Sequence, residues 1–262
     1  MACAAKPALA HKIVAPGLPT LKNTPMHQHD PLGLHGRRIA VTGGLGRLGQ
    51  QLGQLLAARG ARVALIDRHP EASIPATAEG TVVVAGVDLA DEAAATAALQ
   101  RAAALLGGLD GLVNVAGGFA WEKIEGGHAA TWDQQYAMNL RTALLCSQAA
   151  LPLLLAQKSS AIVNVGAAAA QKAGLGMGAY AAAKAGVARL TEALAEEFKA
   201  RGLRVNAVLP SVLDTPANRA DMPGADPALW VGTDELARVI AFLLSEEASA
   251  VTGASLPVMG RV

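Results

Sequence analysis

Aromatic residues are scarce in this 262-residue chain, at 3%, and charged residues make up only 16% of it. Its core must therefore be built from small and aliphatic side chains, which suits buried parallel strands and closely packed helices. Lysine plus arginine (22) and aspartate plus glutamate (21) nearly balance and are scattered. Neither nucleic acid nor an anionic membrane surface would find a basic patch to engage. The two cysteines, Cys3 and Cys146, have no metal-ligand spacing and suggest no disulfide framework, which points to the reducing cytoplasm. Long apolar runs are also missing. The most apolar stretch, 143–156, is interrupted by Cys146, Ser147, Gln148 and Pro152, well short of the roughly 18 residues that a membrane span needs.

Residues 1–35 are rich in His and Pro, show little periodicity and lack the apolar core of a secretory signal. They read as a weakly ordered extension, with Met26 as an alternative start of translation. His27 and His29 have no further ligands beside them, so no metal site is expected. Residues 36–262 read as one domain. Short apolar runs at 39–42, 62–66, 81–85, 111–115, 161–165, 204–208 and 255–258 alternate with helical stretches that start near Arg47 and Asp91 and cover 132–156, 179–201 and 234–245. That alternation predicts a Rossmann-type doubly wound α/β fold with a parallel sheet of about seven strands.

The segment after the first strand contains Gly44-x-Gly46-x-x-Gly49 and opens a helix, where a dinucleotide fingerprint belongs. Glycine lets the backbone approach a pyrophosphate, and free amides at a helix start favour its charge. Gly43, Arg47 and Leu48 complete this predicted contact set. Asp67 ends the second strand, placed to accept from the adenosine ribose hydroxyls and to repel a 2′-phosphate. NAD(H) is therefore preferred; Arg47 and Arg68 could offset the repulsion and leave NADP(H) open. Asp88 and Leu89 are assigned to the adenine pocket, Asn114, Ala116 and Gly117 to the small-residue turn ending the fourth strand, and Pro210 and Val212 to the segment after the sixth. Tyr180 and Lys184 lie one helical turn apart. An ammonium near a phenol would lower the phenol's pKa and make it a usable acid for a hydride-transfer reaction.

With these motifs in this order, the sequence resembles the short-chain dehydrogenase/reductase family from about Leu34 to its C-terminus; Asn139 in Met-Asn-Leu and Val251-Thr-Gly253 match as well. The resemblance implies that Tyr180, Lys184 and Asn139 are catalytic, with a water held at the Asn139 position in a proton relay. It also implies that Lys184 binds the nicotinamide ribose, that Thr215 touches the nicotinamide carboxamide, and that the chain assembles as a homodimer or homotetramer through its two long helices. The family's serine, thirteen residues before the tyrosine, is replaced by Ala167, flanked by Gly166 and Ala168. Loss of such a donor costs on the order of 2–4 kcal/mol for a carbonyl substrate. A narrower resemblance, to quinonoid dihydropteridine reductase, rests on Ala116-Gly-Gly-Phe119, 166–170, 174–180, 209–219, Met222-Pro223 and Trp230; that subfamily also lacks the serine. It implies a mobile segment 214–230 over the site, with Asn218, Arg219 and Trp230 near a flat heterocycle, although Trp230 reads equally well as packing. Another short-chain reductase, or a catalytically weak NAD(H)-binding protein, stands as the alternative.

Overall fold

The computed structural model describes residues 32–70 and 78–262. Met26, His27, His29 and Cys3 lie outside them, as does most of the expected N-terminal extension. Seven strands form one parallel sheet: β1 (Arg38–Thr42), β2 (Arg62–Ile66), β3 (Thr81–Val84), β4 (Gly111–Asn114), β5 (Ser160–Val165), β6 (Leu203–Pro210) and, in the same sheet, the last strand of the chain (Ser255–Val258). A separate two-stranded ribbon pairs β7 (Leu213–Asp214) with β8 (Val231–Gly232), which makes the last strand β9. The sheet order is β3-β2-β1-β4-β5-β6-β9, so the strand order reverses between β1 and β4. In a doubly wound sheet the ligand crevice opens at that point, beyond the carboxyl ends of the strands.

Alternation along each strand sorts the core into two layers. Ile39, Val41, Val63, Leu65, Val113 and Val163 face one side, where α1 (Arg47–Ala58) packs with the last long helix (Thr233–Leu244). Ala40, Ala64, Ile66, Leu112, Ile162 and Val205 face the other, beneath α2 (Glu92–Leu106), α4 (Thr142–Leu154) and α5 (Gly178–Phe198). The period of two puts one apolar set on each face. On α2 the buried stripe is mostly alanine, and the helix is bounded by Asp91, whose side chain accepts from Ala94 N at 2.8 Å, and by Gly107 at φ +77°.

Three features differ from the sequence reading. The helix expected over 132–156 is three pieces: α3 (Ala129–Gln135), a π-helical segment Tyr136–Arg141, and α4. The segment after β6 is no open loop, because the β7–β8 ribbon closes its base and α6 (Pro216–Asp221) lies within it; the helix Thr233–Leu244 is thus α7. Leu34, assigned to the N-terminal extension, is fully buried in the α1–α7 layer. Leu34→Ala should therefore cost about 2–4 kcal/mol of stability, read as a lower denaturation midpoint; an unchanged midpoint would detach Leu34 from the core.

Candidate active site

The glycine-rich turn is shaped by its neighbours. Gly43 holds φ +61°, and a Cβ there would lie 2.9 Å from Ala116 N, so the turn rests directly on the chain leaving β4. A Cβ at Gly49 would meet Gly43 O, which presses the start of α1 against the same turn. Gly46 is the N-cap of α1 and supplies no side-chain acceptor, so amides of the first helical turn are left for an anion. This cradle fits a dinucleotide pyrophosphate. Leu48 is buried in the core, whereas Arg47 is exposed at the helix start and acts electrostatically on Asp214.

Asp67 is buried at the end of β2. Its Oδ2 accepts from Leu45 N at 2.9 Å, and its Oδ1 accepts from His69 N at 3.1 Å and lies 2.6 Å from His69 Nδ1. Burial works to raise its pKa, but these bonds outweigh burial and hold the carboxyl below the usual range. His69 was not singled out from the sequence. Its spacing from Asp67, two residues on, was the available signal. Of the other positions assigned to the cofactor, Asp88 is exposed and accepts from Ala90 N at 3.0 Å, while Leu89 points into the core. Pro210 ends β6, and Val212 O accepts from Val231 N at 2.9 Å, joining the excursion to its base.

The side chain of Asn114 faces the core rather than the crevice. Its Nδ2 donates to Asn164 Oδ1 at 2.8 Å and Ser147 Oγ at 3.1 Å, and Asn164 Nδ2 donates on to Thr191 Oγ1 at 2.9 Å. This buried chain ties β4 to β5 and to helices α4 and α5. Thr42, also missed as a functional position, accepts at Oγ1 from Val115 N and Ala116 N at 3.1 and 3.2 Å and so fixes the turn after β4.

Asn139 sits in the π-helical segment, fully buried. Its Nδ2 donates to the Gln135 and Gly118 carbonyls at 3.1 and 3.0 Å, and its Oδ1 accepts from Gly118 N at 3.1 Å. An α-helix would offer the Gln135 carbonyl to the backbone N–H of residue 139; here the side chain takes a share of it. Widened turns of this kind recur at functional sites. Gly117 lies against both Asn139 and Lys184: a Cβ on it would lie 2.6 Å from Asn139 Oδ1 and 3.4 Å from Lys184 Nζ.

The Lys184 ammonium is buried, donates to Val165 O at 2.8 Å, and stands over the Tyr180 ring, 5.8 Å from its centroid. Desolvation lowers its pKa to about 8 and raises that of the Tyr180 phenol to about 12. The lowered phenol pKa expected from the sequence is therefore not met in this structure, where desolvation is what shifts the Tyr180 phenol. Phe119 meets Tyr180 edge-on, with ring centroids 5.1 Å apart. Ala167 lines the end of β5 and is buried.

In the segment after β6, Thr215 caps α6 by accepting from Asn218 N, and Asn218 Nδ2 donates to Leu213 O at 2.8 Å. Arg219 pairs with Asp214 through two bonds of 2.6 and 2.8 Å. Trp230 is only 5% exposed, so its indole packs at the base of the excursion, the second of the two roles its sequence allowed. Among the described residues no group of three His, Cys, Asp or Glu could hold a metal, and no helix is long and apolar enough to cross a membrane. Cys146, buried, has its thiol pushed up to about 12 by desolvation, which leaves it inert.

A glycine-rich turn and an acid at the carboxyl ends of β1 and β2, with a Tyr–Lys pair beside the end of β5, are the arrangement of a Rossmann-class oxidoreductase. The chain belongs to the short-chain dehydrogenase/reductase family: the family model for short chain dehydrogenase matches residues 37–225. It is 34% identical over 241 residues to 2-(S)-hydroxypropyl-CoM dehydrogenase 3 of Xanthobacter autotrophicus, covering 85% of this chain and 94% of that protein. It is 38% identical over 217 residues to the inactive 2-(S)-hydroxypropyl-CoM dehydrogenase 2 of the same organism, covering 77% of this chain and 94% of that protein. Its fold resembles that of 3-ketoacyl-(acyl-carrier-protein) reductase from Brucella melitensis, solved with NADH, at a TM-score of 0.78 and 27% identity, over 87% of this chain and 99% of that one.

The pKa of Lys184 sets a test of the buried charge. Below about pH 8 the folded chain carries the buried ammonium and its desolvation cost; above the ordinary lysine value of 10.5 neither folded nor unfolded chain carries the charge, and the cost is gone. Lys184→Met should thus raise stability at pH 7 by about 1–3 kcal/mol, a gain that shrinks as pH climbs from 8 past 10. Thermal melts across that range check it, and a destabilised variant at pH 7 would show the ammonium to be stabilising.

Proposed function

We propose that the protein is an NADH-dependent reductase acting on a quinonoid or imine-type acceptor, similar in chemistry to quinonoid dihydropteridine reductase. Ala167 carries this reading. The wall formed by Gly166, Ala167 and Ala168 offers no hydroxyl, and reduction of a simple carbonyl builds oxyanion charge that would want such a donor. A quinonoid ring instead gains aromatic stabilisation and takes its proton at nitrogen, so it depends less on that group. The nicotinamide, when bound, supplies the hydride. Tyr180 gives the proton to the acceptor's heteroatom, and Lys184 holds the ribose and keeps positive charge beside the phenol as proton donation develops phenolate character. Asn139 holds the turn at Gly118 and marks the place of a water in the proton relay. Thr215 meets the nicotinamide carboxamide. The chain acts as a cytoplasmic homodimer or homotetramer, with α4 and α5 at the interface.

The likeness to alcohol dehydrogenases favours a second reading, oxidation of a small alcohol with NAD+, in which Tyr180 as phenolate is the base. One assay separates the two. The protein is mixed with NADH and chemically generated quinonoid dihydropterin, and absorbance is followed beside Tyr180→Phe. Turnover should fall at least about a hundredfold in the variant; equal rates would remove the first reading. Carbonyl reduction gained by Ala167→Ser without any pterin turnover would favour the second. Undetectable NADH binding would remove both readings together with the NAD(H)-binding alternative.

Asp67, anionic at neutral pH, favours NAD(H) over the 2′-phosphate of NADP(H). The imidazole of His69 already occupies one of its oxygens and so competes with the ribose hydroxyls. His69→Ala frees that acceptor for the ribose hydroxyls, so the ratio of NADPH to NADH dissociation constants should rise about three- to tenfold. Fluorescence titration with both nucleotides measures it, and a falling ratio would reverse the assignment.

A further inference from the structure

The chain has three Trp, two Tyr and three Phe, and Phe119, Trp121 and Trp132 are spent on the surface rather than in the core. Phe119 and Trp121 are 54% and 55% exposed, beside Leu175 at 75%. Large exposed apolar groups gathered in one place mark a binding surface.

These rings are exposed but not loose. Trp121 Nε1 donates to Leu175 O at 2.8 Å, its indole lies against Gly176, where a Cβ would fall 2.3 Å from Cε2, and the next residue, Glu122, donates from its N to Gly176 O at 2.9 Å. Trp132 rests on Gly178, 3.3 Å from the position of a Cβ there, and Phe119 packs edge-on against Tyr180. Three aromatic side chains are thus fastened to successive points of the segment 175–180 that presents the Tyr180 phenol. Glu122 steadies the far end of the same loop by accepting from His128 N at 3.0 Å. Rings held in place while still open to solvent lose little conformational freedom when a partner stacks on them.

We infer that Phe119 and Trp121 form a preorganised stacking wall that recognises a planar conjugated ring and delivers its electrophilic edge to Tyr180. This rests on the reductase reading above and supplies its substrate class. Aromatic faces gain most from a flat partner, which covers them fully, whereas a puckered saturated ring touches only part of each. Beside Tyr180, Gly166, Ala167 and Ala168 add no competing polar group, so apolar shape and stacking decide what binds.

The test measures binding apart from turnover. The NAD+-loaded protein is titrated by calorimetry with 6,7-dimethylpterin, a flat and unreactive probe, and with cyclohexanol, a puckered one. The wild type should bind the pterin more tightly than cyclohexanol. Trp121→Ala and Phe119→Ala should each weaken pterin binding by roughly tenfold and leave NAD+ affinity unchanged, as should the control Phe242→Ala on α7 for both ligands. Trp121→Phe, which keeps a ring, should stay within about twofold; with Phe119→Leu it carries the test if an alanine variant fails to fold. Equal pterin affinity in the wild type and alanine variants, preference for cyclohexanol, or no saturable pterin binding would overturn the inference. So would a change in sedimentation in Trp121→Ala, since the rim would then be covered by a second copy of the chain. Pterin binding through the wall without quinonoid turnover would sink the reductase reading alone, and turnover indifferent to both alanine variants would sink the wall alone.

Discussion

The chain leaving β4 lies against both Asn139 Oδ1 and Lys184 Nζ at Gly117, with no room for a side chain, and the rest of the site is arranged around that contact. On one side the π-helical turn aims Asn139 at both backbone groups of Gly118. On the other, the Lys184 ammonium is bonded to the last carbonyl of β5. Two elements far apart in sequence are thereby set against one strand end, and Tyr180 is presented one turn before Lys184.

That arrangement depends on buried polar side chains bonded to one another, although Asn114 Oδ1 itself has no partner among the described residues. The chain from Asn114 through Asn164 to Thr191 locks β4, β5 and α5 into one register, and in a low-dielectric interior such bonds are directional and costly to leave half made. Lys184 belongs to the same economy of charge. A buried ammonium is unfavourable by itself, and here it is held at the end of β5 by its bond to Val165 O. The glycine turn after β1 meets the same strand end through Gly43 and Ala116 and through the Thr42 hydroxyl. The glycine turn and the Tyr180–Lys184 pair therefore meet one backbone segment, and a shift at either is felt by the other.

Much of this was legible in the sequence because it is local. Short apolar runs located the strands, the Gly44-x-Gly46-x-x-Gly49 spacing located the turn, and the interval between Tyr180 and Lys184 placed them on one helical face. Roles that depend on where a side chain points were harder to read. Asn114, Leu48 and Leu89 carry the right residue types at the right places, yet their side chains serve the core. The widened turn at 136–141 leaves no periodicity signal, because a single extra residue per turn is invisible in a pattern that tolerates one.

The sequence by itself determined the class of fold and the positions of the phosphate turn, the acid and the Tyr–Lys pair, since each is written in spacing along one strand or helix. Only the tertiary structure decided the protonation tendencies of that pair, the partner of Asp67 and the aromatic wall at the entrance. Desolvation depends on what is packed around a group, and Phe119 meets Tyr180, Trp121 meets Gly176 and Trp132 meets Gly178 only when the chain after β4 folds against the segment after β5.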